Sequence, residues 1–305
     1  MTNYTGTYVP HCPDDPSFRL WGAAFTDALD ALDTAGDILL VSPAINWASV
    51  TYPAGVSTLA AYAVYRFTDT EQATAPVFFE IAFYTTASGG SSRYPYIGVT
   101  VGVAYSGSGR LTSVGTFNPM YSTSVASPTA TARELNIASD GSGLVMSIGM
   151  NGAGGSSSTN LASAGVFTID RFRNPNGTPR TDGWAAIGSA TSAVTVMVDP
   201  VSGTGQTLNG GWPAVGISEI GTTTPGLNND AETTLFPTWS GNRFGSYPLK
   251  MVLSYVAIDF ASTPGTILPT FLGTARIYKR LGSGGRAGFD VTASPGALCS
   301  IWWSD

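Results

Sequence analysis

The stretch Asp15-Pro16-Ser17-Phe18-Arg19-Leu20-Trp21-Gly22-Ala23-Ala24-Phe25-Thr26-Asp27-Ala28-Leu29-Asp30-Ala31-Leu32-Asp33-Thr34-Ala35-Gly36 decides the fold class, because its pattern occurs nowhere else in the chain. Phe18, Trp21, Phe25, Leu29 and Leu32 follow one another at spacings of three or four, which places them on one stripe of an α-helix. Asp15 is positioned to cap this helix, Pro16 suits its first turn, and Gly36 can close it with a positive φ. Asp27, Asp30 and Asp33 form a second stripe. Acids at this spacing can meet a cation or a basic partner, but no other oxygen-rich cluster lies nearby in sequence, so a solvated face is the simpler reading.

After Gly36 the period changes from helical to alternating. Strands are predicted at 61–67, 77–84, 96–104, 135–137, 144–150, 165–169, 193–198, 214–220, 249–260, 272–278 and 298–302. Turn clusters such as Ser88-Gly89-Gly90-Ser91, Ser106-Gly107-Ser108-Gly109 and Asp140-Gly141-Ser142-Gly143 separate them. Many short strands and a single amphipathic helix predict an all-β protein, a β-sandwich or jelly roll with one N-terminal helix and arm. The expected organisation is an arm and helix at 1–40 that dock to a neighbour, a first β layer at 41–151 and a second at 160–305. The stretch Gly152–Asn160 reads as the linker or long loop between the layers. No repeat of 20–50 residues supports a propeller or solenoid.

Composition narrows the class further. Only 11% of the 305 residues are charged, while 43% are apolar and 11% aromatic, so the chain has the means to build a core and is not disordered. The 37 glycines follow no three-residue period, which excludes collagen, and the Glu/Lys heptads of a coiled coil are missing. The net charge of −6 and the scattered basic residues give no face for releasing counterions from duplex DNA, so no nucleic-acid partner is expected. The apolar-leaning run Met251–Ala261 is far shorter than a membrane helix, and the first residues lack the pattern of a signal peptide. Cys12 and Cys299 are expected to be reduced thiols, although a bridge between them is open.

The search for chemistry yields little. Nucleophilic hydrolysis needs a base, and the single histidine, His11, lies in a proline-flanked arm; it is expected to serve as a contact residue. Gly216-Ile217-Ser218-Glu219-Ile220-Gly221 is one residue too long for a nucleophile elbow. One histidine and two distant cysteines make no zinc site, and no glycine cluster has phosphate-loop spacing, so no metal or cofactor is expected. Glycoside hydrolysis needs two carboxylates. Glu80, Glu134, Asp199, Glu219, Glu232 and Asp259 are candidates, but nothing pairs any two of them; Glu80 and Asp259 read better as outward strand positions or partners of the scarce arginines. No enzyme is expected. Trp184, Trp212 and Trp239 can stack on sugars if exposed, or fill the core. Adjacent Trp302 and Trp303 must face opposite ways in a strand, so one of them suits a subunit contact. The basic run Arg276, Lys279 and Arg280 complements the acidic helix in charge.

Several segments carry a resemblance: Phe18-Arg19-Leu20-Trp21-Gly22 at the helix start, Ile45-Asn46-Trp47-Ala48-Ser49-Val50-Thr51-Tyr52-Pro53-Ala54, Tyr62-Ala63-Val64-Tyr65-Arg66-Phe67-Thr68-Asp69-Thr70, and Gln72-Ala73-Thr74-Ala75-Pro76-Val77-Phe78. This run, with a looser match around Arg276-Ile277-Tyr278 and Leu281-Gly282, resembles virion structural proteins of tailed bacteriophages. The resemblance implies a place in a particle, and no catalytic residue lies within it. The expectation is a non-enzymatic virion subunit, made in the host cytoplasm and built into the tail (baseplate, tip or fibre attachment). It would bind other virion proteins and its own copies as a homo-oligomer such as a trimer. His11, Trp21 and Phe25 would make contacts at the docking end, Arg276 and Trp303 at the other. A capsid-decorating cement protein and an adhesin for host-surface glycans are the alternatives.

Overall fold

In the computed structural model the described residues are 1–9, 11–54, 58–87, 93–112, 115–120, 132–148, 165–174, 178–189, 194–199, 204–209, 235–242, 245–256, 267–268, 277–280 and 297–304; beyond Ala186 the description is of backbone alone. The predicted helix is present as α1, Asp15–Thr34. Its cap lies one residue earlier than expected. Asp14 accepts from Ser17 N at 2.9 Å while Ser17 Oγ accepts from Asp14 N at 3.2 Å, a reciprocal capping box. At the other end Gly36 stands at φ 83°, and Asp37 N donates to Leu32 O at 3.1 Å. That left-handed residue with its backward bond is the Schellman stop that the glycine predicted.

Apart from α1 and two short 3-10 turns, at Trp47–Ser49 and Thr70–Ala73, the described elements are strands. One sheet has five of them: β2 (Ile38–Leu40), β3 (Thr58–Phe67), β4 (Phe78–Ala87), β5 (Arg93–Gly102) and β6 (Gly115–Met120), in that order. A second sheet has seven. Its strands are β1 (Thr2–Tyr8), then β7 (Arg133–Ser139), β8 (Gly143–Ile148), β9 (Gly165–Arg173), β10 (Pro179–Ser189), β11 (Val194–Asp199) and β12 (Thr204–Asn209). The third sheet contains β13 (Leu235–Asn242), β14 (Gly245–Val256), β15 (Ile267–Leu268), β16 (Ile277–Arg280) and β17 (Ala297–Ser304), in the order β13-β14-β17-β16-β15. All described pairings are antiparallel. The chain is therefore mostly β, as its alternation predicts.

One core joins the first two sheets and the helix. Phe18, Trp21, Phe25, Leu29 and Leu32 of α1 pack with Tyr65, Phe67, Phe79, Ile81, Phe83, Ile97 and Val99 of the five-stranded sheet. The same cluster takes in Leu135, Ile137, Leu144, Met146, Phe167, Ile169 and Trp184 of the seven-stranded sheet. On β4 this core face alternates with Glu80, Ala82 and Tyr84 on the other, as the pleat requires.

Two expectations about organisation change here. Residues 1–40 are not separate from the β layers. β1 is a strand of the seven-stranded sheet, with Tyr4 opposite Ile137 and Thr7 opposite Glu134, and both Tyr8 and Cys12 are buried in the common core. The arm was misread because Thr2–Tyr8 is polar on one side and its partner lies 130 residues downstream. The expected linker at 152–160 lies outside the described residues, but β8 and β9 before and after it belong to one sheet, with Leu144 opposite Ile169 and Met146 opposite Phe167.

Candidate functional site

The segments that carry the resemblance meet in space. Trp47 lies against α1 at Gly22, where a Cβ would fall inside the indole. Its Nε1 donates to Thr26 Oγ1 at 2.8 Å, and its ring stands edge-on to Phe83 at 4.9 Å. Phe18 stacks on Tyr52 at 4.6 Å. Arg19 Nε donates to Val50 O at 2.6 Å, and Asp15 accepts from Tyr52 N at 2.9 Å. Residues 45–52 thus form a belt clasped to the helix from Asp15 to Thr26 by aromatic faces and by side-chain hydrogen bonds. The motif residues work as packing: Gly22 is there because the tryptophan needs its space.

Two ion pairs, one buried and one with a buried carboxylate under an exposed arginine, hold loops to sheets. Arg171 of β9 is fully buried; both its Nε and Nη2 donate to the Asp69 carboxylate, and Nη1 donates to Ala75 O at 2.7 Å. Nη2 also reaches Gln72 Oε1 at 3.4 Å, so the β3–β4 connection is tied to the seven-stranded sheet. On the outer face of the five-stranded sheet Glu80, also fully buried, accepts from Arg110 Nε at 2.7 Å, from Arg110 Nη2, and from Leu111 N at 3.0 Å. Arg110 Nη2 further donates to Tyr84 Oη at 2.8 Å, and the guanidinium lies 5.3 Å from the centre of the Tyr62 ring. The reading of Glu80 as the partner of an arginine is what this geometry contains. Arg110, Arg171 and Asp69 had no signal in sequence, since each lies on or opposite a loop whose partner strand is remote.

The candidate contact residues separate. His11 is exposed. Trp21 and Phe25 are each only 1% exposed, in contact with one another and with Phe83, so they serve this chain's own core and present no face to another subunit. The helix stripe was read correctly but its covering was not: the strands it packs on are invisible in a local pattern. Leu20, at 75% exposed, is the large apolar side chain that α1 leaves outside. Arg276 lies outside the described residues, and Trp303 sits in β17, of which only the backbone is described. Trp184, weighed as a sugar platform, is buried in the core. Trp212, Glu219, Glu232 and Asp259 lie outside the described residues.

Cys12 is a free, buried thiol; burial first, and then the nearby Asp14 charge, push its pKa up to about 12. Asp27 and Asp30 face solvent, while Asp33 accepts from Leu40 N at 3.3 Å. Partial burial, then repulsion by Asp27 and Asp33, raises the pKa of Asp30. Among the described residues no group of three or more His, Cys, Asp or Glu side chains is arranged to hold a metal ion. No helix among them is long and apolar enough to cross a membrane. No family model matches the sequence, and neither does any curated protein.

Proposed function

We propose that this chain is a non-enzymatic structural subunit of a bacteriophage virion, a tail component that assembles with its own copies. The observation that carries the reading is the belt at 45–52 clasped to α1. The residues that resemble tail and fibre proteins are those that build this packing unit, so what is shared with those proteins is a scaffold. The fate of the carboxylates points the same way. Glu80, a candidate acid for glycoside hydrolysis, is engaged by three hydrogen bonds from one loop, an arrangement suited to fixing structure. Two sheets facing one core support a sandwich, and apart from β1, which pairs with β7, their strands pair in chain order, which favours a meander over the jelly-roll variant. The docking surface moves from Trp21 and Phe25 to the outer side of α1, where Leu20 is exposed beside the acidic stripe.

Light scattering on the purified protein tests assembly. A discrete trimer or hexamer of the 31.5 kDa chain is expected, and its mass should not change with reductant, because the Cys12 thiol is sealed in its own subunit. A monomer at all concentrations would overturn the homo-oligomer. Copy number per particle then separates a tail part, in multiples of three or six, from a cement protein present in hundreds of copies. The adhesin alternative loses Trp184 as a sugar platform.

A further inference from the structure

The segment Val103–Thr112 leaves β5 and comes back to it. A Cβ on Gly102 would lie 2.5 Å from Thr112 O, so the two ends of the segment nearly touch, as in an Ω-loop. Gly107 and Gly109 take positive φ values of 84° and 72°, and residues 106–110 are exposed. The internal bonds are short-range: Tyr105 Oη to Gly109 O at 3.3 Å and Ser106 Oγ to Ser108 O at 2.9 Å. Among the described residues no backbone–backbone hydrogen bond ties it to a strand. Its hydrogen bonds to the sheet converge instead on the Glu80 carboxylate and the Tyr84 hydroxyl, through Arg110 and Leu111, while Leu111 is buried, Val103 packs against the core and the Tyr105 ring lies 6.4 Å from that of Phe78. Around that carboxylate stand the Tyr84 hydroxyl and the ring faces of Tyr62 and Tyr84, at 5.3 and 5.8 Å from the guanidinium carbon. A planar cation fits this seat on its edge and on its face, which an ammonium does not.

We propose that Val103–Thr112 is a latched strap that opens as a unit, and that the Glu80 seat beneath it is a guanidinium receptor able to accept an arginine side chain of a partner in place of Arg110. A carboxylate sealed under a removable cover is costly to a fold unless its occupant is specified, and here the occupant is the strap's own Arg110. The exposed backbone of residues 106–110, held at its ends by Val103 packed against the core and by buried Leu111, places the middle of the strap at the low-stability end of the molecule, while β4 and β5 beneath it belong to the core. The inference stands apart from the assembly reading: it concerns a seat within one chain.

Hydrogen exchange on the full-length protein tests it. In the wild type the amides of residues 104–111 are expected to exchange together and faster than those of Phe79, Ile81 and Val99. Arg110→Ala should speed exchange at Leu111 and its neighbours by about tenfold or more while leaving those strand amides unchanged. Methylguanidinium at millimolar concentration should then slow Leu111 exchange in the variant, and methylammonium should not. Unchanged strap exchange in Arg110→Ala would overturn the latch. An equal acceleration across β3, β4 and β5 would overturn it too, because Arg110 would then be a general stabiliser. Failure of methylguanidinium to restore protection, or equal rescue by methylammonium, would overturn the receptor.

Discussion

At Gly22 the missing side chain is what the fold uses. Any Cβ there meets the Trp47 indole, and the ring is held on its far side by Phe83 and at its nitrogen by Thr26. Gly22→Ala should therefore cost about 1–3 kcal/mol by overpacking, although alanine is the better helix former. Chemical denaturation reads the difference; a stabilised variant would mean that the belt moves freely. Arg171 makes the opposite case of a polar group the core cannot lose. Arg171→Met leaves the Asp69 carboxylate nearly buried without its cation and should cost about 3–5 kcal/mol, and replacing both partners with apolar residues should recover part of it. Asp30 titrates against the fold. Its proton is held more tightly in the folded chain than in the unfolded one, so stability declines as pH rises through the aspartate range. Asp30→Asn is expected to be slightly more stable than the wild type at neutral pH, by at most about 0.5 kcal/mol because solvent screens the exposed carboxylate, and it also removes an acid from the negative end of the helix. The two proteins should converge below about pH 3 in thermal melts.

Among the elements, α1 was the most legible because all its signals are local: the apolar stripe, the proline and the closing glycine lie within a few residues of what they determine. β3, β4 and β5 were legible for a similar reason, as alternation marks them whatever they pair with, while β2 and β6 of the same sheet, short and at its edges, were not predicted. β1 and β10 were not. β1 has threonines and an asparagine where a strand usually shows aliphatic side chains, and β10 carries Pro179, Asp182 and Gly183, with a register shift between Pro179 and Trp184. Both acquire their identity from strands already in place. The ion pairs were hidden for the same reason, since Arg171 and Asp69 stand 102 residues apart and only the sheet brings them together. This bears on truncation. Removing residues 1–35 deletes β1 and most of the helical side of the core, so the remainder should fail to fold, shown by loss of the cooperative thermal transition. A remainder that melts cooperatively would restore the picture of a detachable arm.

At the scale of the molecule, one core among the described residues runs from Tyr8 to Ala186. The scarcity of charge visible in the sequence finds its use here: the buried Glu80 and Arg171 are each engaged by an opposite charge, and the largest buried side chains around them are mostly aromatic. Pairing of β1 with β7 has a consequence for the order of events during synthesis. The first strand leaves the ribosome more than a hundred residues before its partner, and α1 emerges with an aromatic stripe that cannot be covered until the later strands arrive. Closing so long a loop is entropically slow, and the exposed stripe meanwhile is the kind of surface that chaperones hold and that neighbouring nascent chains adhere to. Yield of this protein should therefore depend on translation speed and temperature more steeply than its final stability suggests.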